Sequence, residues 1–284
     1  MKAPAFAYTK PASFDAVFDL LDEYGDDARI LAGGQSLLAA LNLRLFTPAL
    51  LIDITGLPGL SGIAVSGNTL RIGALTTQRE VECSPLIARH LPLIAQAMPW
   101  IAHAAIRNVG TFGGSIALAD PAAELPACSV ALDARFVLKS RHGERRVAAK
   151  DFFRSLYTTD LKPGELLVAG EFPLPPAGYR GAFLELARRR GDFAIVGLAA
   201  HAKVQGGGIG DARLVFFGVD NIPVVAQAAA AAVADKRISP DVIAAAQTAL
   251  EHDLSPFGDN SNTPQTKLHL AKVLAGRALA ALLA

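Results

Sequence analysis

Hydrophobic and polar positions along this chain repeat with two periods, and the switches between them mark its elements. In "SFDAVFDLLDEYG" (13–25) apolar residues recur at Phe14, Val17, Phe18 and Leu21, the spacing of one helix face. Ser13 stands where an N-cap belongs and Gly25 where a helix stops. "ARILAG" then reads as a short strand, "SLLAALNLRLF" as a helix ending before Pro48, and "ALLIDIT" as a second strand, together a compact βαβ-like unit. "GIAVSGNTLRIGAL" is two alternating runs joined at Gly67-Asn68, a hairpin signal. Thr77 is placed to cap a short helix containing Glu80 and Val81. "SPLIARHLPLIAQAM" reads as one longer helix with Pro85 in its first turn.

The next stretch, "IRNVGTFGGSIALADPAAELPA" (106–127), is glycine-rich and is expected to become helical after Asp120-Pro121. "RFVLKSRHGERRVAA" forms a hairpin pattern and "ELLVAGEFPLP" a strand. Proline-rich "PLPPAGYRG" (173–181) interrupts the periodicity and marks a boundary, giving domains at 1–176 and 177–284. Beyond it "AFLELARRR", "FAIVGLAAHAKVQ" and "ARLVFFGV" alternate like antiparallel strands, followed by helical patterns at 224–235, 240–252 and 264–283. The C-terminal third is therefore expected to be a three-stranded sheet backed by helices.

Composition narrows the function classes. The chain has 284 residues, 51% of them hydrophobic, which is enough for a sizeable core. Its 27 Lys+Arg against 26 Asp+Glu leave a net charge of +1, with no electrostatic footprint for nucleic acid. No apolar run reaches the length of a membrane span, and "MKAPAFAYTKPASF" has no signal-peptide core, so a cytoplasmic location is expected. Cys83 and Cys128 lie far apart with no CxxC neighbour; two cysteines cannot supply the four thiolates of an iron–sulfur cluster. No set of metal ligands is recognisable.

Three glycine clusters compete as sites. "GGGIG" (206–210) lies between two alternating strands and suits a loose hairpin loop. Gly33-Gly34 and Gly113-Gly114 are each followed by neutral donors, Gln35 and Ser36 or Ser115, and then by an apolar segment. Such a pair lets backbone approach a diphosphate without Cβ interference, but it is also ordinary turn chemistry. "AGGQSLL" lacks the GxGxxG spacing of a Rossmann site, and Asp53 after the second strand does not restore it.

Taken together, "AGGQSLLAALNLRL…P…LIDI", "LRIGALTT" and "AIRNVGTFGGSIALADPAAELPA" resemble the FAD-binding (medium) subunit of molybdenum hydroxylases, a family that includes the carbon monoxide dehydrogenase medium subunit and the xanthine dehydrogenase FAD domain. The similarity continues through "YTTDLKPGELL" and "FLELARRRGDFAIVGLAAHA", along nearly the whole chain. It implies an α+β fold: a two-subdomain FAD-binding fold of the vanillyl-alcohol-oxidase/PCMH type (subdomains about 1–56 and 57–176), then a small C-terminal domain with a three-stranded antiparallel sheet and helices.

By that resemblance the segment Leu31, Ala32, Gly33, Gly34, Gln35, Ser36 and Leu37 wraps the diphosphate of FAD, and Thr111, Gly114 and Ser115 meet it from the other subdomain. Glu124 matches an acidic position that accepts hydrogen bonds from cofactor hydroxyls, although a first-turn helix acid has a structural reading too. Ile101 and Leu167 match apolar positions lining the cofactor, and Phe193 falls where a side chain sits beside the isoalloxazine; each also suits ordinary core packing. Glu185 is a departure, since related sequences often carry a lysine near this point that reaches the flavin. Asp120 reads as a helix cap, His103 as structural, and Arg107 as an ion-pair residue or one near a partner face. Neither signature contains the His or Cys that covalent attachment uses, so FAD is expected to be non-covalent.

The resemblance further implies an oxidoreductase subunit without a proton-transfer catalyst of its own. Electrons would come from [2Fe–2S] clusters on a small subunit, fed by molybdopterin on a large one, in a dimer of heterotrimers. A stand-alone NAD(P)H-dependent flavin reductase of the same fold is the alternative. It would need an acid in the flavin pocket and a substrate domain.

Overall fold

Three hydrophobic clusters organise the chain, and each draws residues from segments remote in sequence. The computed structural model describes residues Lys2–Ala284. The first segment carries β1 (Ala7–Thr9), α1 (Phe14–Tyr24), β2 (Ala28–Leu31), α2 (Leu37–Asn42) and β3 (Leu50–Asp53). The strands form a parallel sheet in the order β1-β3-β2. Ser13 caps α1 by accepting from the Ala16 N–H, and α1 buries Val17 and Phe18 on the sheet, as the spacing of its apolar face requires. The helix expected to run to Pro48 stops at Asn42, and Arg44 follows in the left-handed region at φ +56°.

The second segment runs β4 (Ile63–Ser66), β5 (Thr69–Gly73), α3 (Gln78–Cys83), α4 (Pro85–His90), α5 (Pro92–Ala97), α6 (Ala104–Arg107), α7 (Phe112–Leu118), α8 (Glu124–Ala131), β6 (Arg135–Ser140), β7 (Gly143–Ala148), α9 (Ala149–Phe152), β8 (Phe153–Ser155), β9 (Thr158–Thr159) and β10 (Leu166–Pro173). Its antiparallel sheet has the order β4-β5-β10-β6-β7, while β8 and β9 pair separately. One face of this sheet gives Val137, Leu166 and Val168 to the cluster beneath the parallel sheet. The other gives Phe136, Leu138 and Leu167 to the cluster formed with α5, α7 and α8. Alternation along each strand thus ties two helical layers to one sheet.

Two expectations change here. The single helix expected over 84–98 is two six-residue helices, α4 and α5, broken at Leu91 (φ −130°, ψ 59°). Pro92 explains the break: it lacks an N–H and pushes the preceding residue out of helical geometry. The stretch expected to become helical only after Asp120-Pro121 is already helical at Phe112–Leu118, so Gly113 and Gly114 lie inside α7.

A loop over 174–178 leads to β11 (Tyr179–Leu186), β12 (Val196–Gln205), β13 (Gly208–Phe217), β14 (Val224–Val225), α10 (Gln227–Val233), β15 (Lys236–Arg237), α11 (Pro240–Asp253) and α12 (Pro264–Leu283). The three long strands are the antiparallel sheet expected, and two-residue β14 and β15 both pair with β13. Gly206 and Gly207 turn the β12–β13 hairpin at positive φ, in keeping with the loop reading of "GGGIG". This sheet is apolar on both faces. Ala182, Leu198 and Phe216 pack toward the last three helices; Phe183, Ala199 and Phe217 pack into the cluster shared with α5 and α8.

Candidate cofactor site

β2 ends at Leu31, and the chain turns through Ala32, Gly33, Gly34, Gln35 and Ser36 before α2 begins at Leu37. Gly34 sits at φ +70°, a conformation that L side chains rarely adopt. A Cβ on Gly33 would stand 2.3 Å from the Val109 carbonyl oxygen and 2.8 Å from the Gly110 Cα. The two glycine-bearing stretches, remote in sequence, therefore touch, and only a glycine at position 33 allows it. Among the described residues, the N–H groups of Gly33, Gly34, Gln35 and Ser36 donate to no other protein group. A turn of consecutive unspent N–H donors is suited to an anionic oxygen cluster.

The second stretch is built differently. Gly113 N–H donates to the Ala74 carbonyl at 2.8 Å, Phe112 N–H to Thr76 at 2.9 Å, Gly114 N–H to Thr111 Oγ1 at 3.0 Å and Ser115 N–H to the Thr111 carbonyl at 3.2 Å. The first-turn donors of α7 are thus spent inside the protein. Gly113 is a packing glycine, since a Cβ there would meet Ala74 Cβ at 2.5 Å. At Gly114 only Thr111 Oγ1 stands within 4 Å of such a Cβ, at 2.8 Å. The two glycine stretches are thus built asymmetrically. The Gly33–Ser36 turn supplies free donors; the Val109–Ser115 stretch supplies a wall of backbone at Val109–Gly110 and the hydroxyl groups of Thr111 and Ser115.

Beneath that wall, Gln78 is buried with Oε1 unpartnered, and a Cβ on Gly110 would lie 2.9 Å from it. Sequence reading missed this side chain; its only signal was the Thr77-x-x-Glu80 capping box, which is formed and fixes the start of α3. Asp53, the acid after the second strand, is a structural group. It accepts from Tyr8 Oη at 2.5 Å and from Thr55 N and Oγ1 at 2.8 and 2.7 Å.

Glu124 opens α8 and is buried; burial raises its carboxyl to about 7, its own backbone hydrogen bond opposes the rise, and Asp120 adds to it. Asp120 itself holds the preceding turn, accepting from Ala122 N at 2.9 Å and from Tyr157 Oη at 3.4 Å. Ile101 and Leu167 are 7% and 4% exposed in one apolar cluster. Phe193, by contrast, is 76% exposed. Its loop is held against Trp100–Ala102: Gly191 packs on the Ala102 carbonyl, and the Arg190 guanidinium lies 5.3 Å over the Trp100 ring. His103 stands exposed before α6. Arg107 is buried and pairs with Glu82 through two nitrogens, at 2.9 and 3.1 Å, while also donating to the Ile101 carbonyl.

Residues 4–175 match the family model of the FAD binding domain in molybdopterin dehydrogenase, and residues 181–282 that of the CO dehydrogenase flavoprotein C-terminal domain. The chain belongs to the FAD-binding subunits of the molybdenum hydroxylases. This flavin subunit is 40% identical over 281 residues to the 6-hydroxypseudooxynicotine dehydrogenase complex subunit alpha of Paenarthrobacter nicotinovorans, covering 99% of this chain and 95% of the relative. It is 34% identical to the carbon monoxide dehydrogenase medium chain of Afipia carboxidovorans, covering 97% and 96%. A solved carbon monoxide dehydrogenase structure from Hydrogenophaga pseudoflava superposes with a TM-score of 0.96 at 37% identity, covering 100% of both chains. Quinoline 2-oxidoreductase from Pseudomonas putida 86 superposes at 0.94 and 37%, covering 99% and 98%.

The α+β FAD fold with its C-terminal flavoprotein domain is therefore this subunit's architecture, FAD is its cofactor, and its relatives are dehydrogenase subunits. The free donors at Gly33–Ser36 fit a polar cofactor bound at this junction. No helix among the described residues is long and apolar enough to cross a membrane.

Proposed function

We propose that the flavin subunit carries electrons from [2Fe–2S] clusters of a small partner subunit, by way of FAD, to an external acceptor. The partners are that small subunit and a large molybdopterin subunit, assembled as a cytoplasmic dimer of heterotrimers. The observation that carries the binding reading is the turn Ala32–Ser36, with its donors unspent, lying directly against Val109–Gly110. Four N–H groups in a row can take the oxygens of a diphosphate without a basic side chain, which accounts for a site with no lysine or arginine in either glycine stretch.

In this reading Leu31–Leu37 wraps the diphosphate, and Thr111, Gly114 and Ser115 close over it from the second subdomain. Glu124 accepts from cofactor hydroxyls, Ile101 and Leu167 form the apolar floor, and exposed Phe193 covers the ring. FAD exchanges electrons singly or in pairs, which suits a junction between one-electron clusters and a two-electron acceptor. The chain's own work is to bind and orient it: domains 1–176 and 177–284 frame the site, and FAD is held without a covalent bond. Affinity purification of the native chain tests the assembly. Co-elution of a molybdenum subunit and an iron–sulfur subunit is expected, with FAD released by denaturation alone. A yellow single chain that oxidises NAD(P)H without partners would overturn the proposal.

A further inference from the structure

Val109, whose carbonyl packs on Gly33, has a half-exposed side chain, so the place of that carbonyl is set by the residues on either side of it. Both sides are tied to α3. On the far side the Gln78 N–H donates to the Gly110 carbonyl at 2.8 Å, and Thr77 forms an isolated antiparallel bridge with Thr111. On the near side the tie is one side chain. Arg107 closes α6, and its guanidinium takes the Glu82 carboxylate of α3 as a fork, Nη2 to Oε1 at 2.9 Å and Nε to Oε2 at 3.1 Å. A four-residue helix such as α6 is marginal on its own, so its direction comes from this tie.

The third nitrogen of the same guanidinium turns to the preceding bend. Nη1 donates to the Ile101 carbonyl at 2.9 Å and to the Ala102 carbonyl at 3.4 Å. Ala102 stands at φ +43°, a costly conformation for a residue with a Cβ. One planar group thus fixes the end of α3, the bend at Ile101–Ala102 and the last turn before Val109. Arg107 is 9% exposed, and burying an ion pair strips both ions of hydration, so such pairs add little stability over apolar residues of similar size. What the fork supplies is direction, because its donors lie in one rigid plane. Glu82 also accepts from Arg79 at 3.1 Å, and these bonds, the one from Arg107 first, hold its carboxyl below the ordinary value.

We infer that Arg107 and Glu82 are a positioning pair for the cofactor turn. Their fork sets the Val109–Gly110 backbone against Gly33, and through that contact it keeps Gly33–Ser36 in the conformation that leaves its N–H groups open to FAD. The inference rests on the cofactor reading above. Both residues act through the Val109 carbonyl and bind no part of the cofactor themselves.

The test uses the purified complex and the full-length chain, in wild type, Arg107→Lys, the double variant Arg107→Met/Glu82→Met, and Gly197→Ala. The double variant removes both charges together, so neither is left buried and unpaired. Arg107→Lys keeps the charge and loses the fork, and it carries the measurement if the double variant does not fold. Gly197→Ala is a packing lesion against the Phe217 ring that destabilises the chain away from both glycine stretches. FAD affinity is read by fluorescence titration, the setting of the bound flavin by visible circular dichroism, and folding by the unfolding temperature without cofactor. Both Arg107 variants are expected to bind FAD about tenfold more weakly with an altered visible spectrum. Gly197→Ala should lower the unfolding temperature and keep wild-type affinity and spectrum. Wild-type affinity and spectrum in either Arg107 variant overturn the pair. So does an equal loss of FAD in Gly197→Ala, because binding would then follow stability rather than position. A Gly34→Val control separates the two readings. If that variant loses FAD while the Arg107 variants keep it, the cofactor turn stands and the pair falls; if it keeps full FAD, the cofactor turn itself falls.

Discussion

Gly34 is the residue on which the diphosphate reading is most exposed to test. Its φ of +70° costs a side-chain-bearing residue about 1–2 kcal/mol, and a β-branched one more. The atoms nearest a new Cβ are the Cδ1 atoms of Leu31 and Leu38, both at 3.1 Å and both flexible ends that can yield. Gly34→Val should therefore fold with a modest loss of stability but lose FAD, as read by absorbance. A folded variant with unchanged occupancy would remove this turn from the site. Gly33 answers differently, because its neighbour is the Val109 carbonyl rather than a side chain. Gly33→Ala should force the two stretches apart and cost more stability than Gly34→Ala, measurable as a lower denaturant midpoint. The glycine pairs were visible in the sequence. That Gly33 touches Val109 while Gly113 touches Ala74 was not, since these contacts join segments that only the folded chain brings together.

At the scale of elements, local signals carried far where their chemistry is local. The caps expected at Ser13 and Thr77 are formed, and Ser84, Ser239 and Thr263 cap their helices in the same way, each hydroxyl accepting from an N–H three residues on. The hairpin at Gly67-Asn68 is present. The pattern failed where one residue outweighed the periodicity: Pro92 divides the helix that the apolar spacing alone would join. In α7 it failed in the opposite sense, because tertiary hydrogen bonds from Phe112 and Gly113 to Thr76 and Ala74 hold a glycine-bearing segment helical. The β12–β13 pair offers a test of packing. Gly197→Ala puts a Cβ where the Phe217 ring lies, 1.9 Å from Cζ. Overpacking of this kind costs about 1–3 kcal/mol and should lower the unfolding temperature by roughly 2–4 °C per kcal/mol.

Across the whole molecule the C-terminal sheet is the junction, apolar on both faces and shared between two cores. His201 belongs to this junction. It stacks on Tyr179 with ring centroids 5.1 Å apart, and Tyr179 in turn donates to Asp211. Burial, with Arg213 adding, lowers the His201 imidazole to about 4. A group whose folded value is depressed contributes stability above its unfolded value near 6.5, and that stability is lost as pH falls toward 4. Urea midpoints should therefore drop between pH 6.5 and 4, and His201→Phe should lessen the drop. An unchanged slope would mean that other groups govern the acid limb. Burial raises the Glu124 and Glu185 carboxyls to about 7 and about 8, so their contribution has the opposite sign and is lost as pH rises through those values.

By itself the sequence determined the order and kind of most elements, because periodicity, caps and turn residues act over a few positions, and two ordered glycine signatures were enough to point to the flavin family. It also held the identity of Glu185 as an acid. Only the tertiary structure decided which glycine leaves its donors free, which one merely packs, and that both carboxylate oxygens of Glu185 are buried without a partner. The physical reason is the same in each case. A hydrogen bond spent or unspent, and a charge paired or unpaired, depend on neighbours supplied by distant segments, and no local pattern encodes which neighbour arrives.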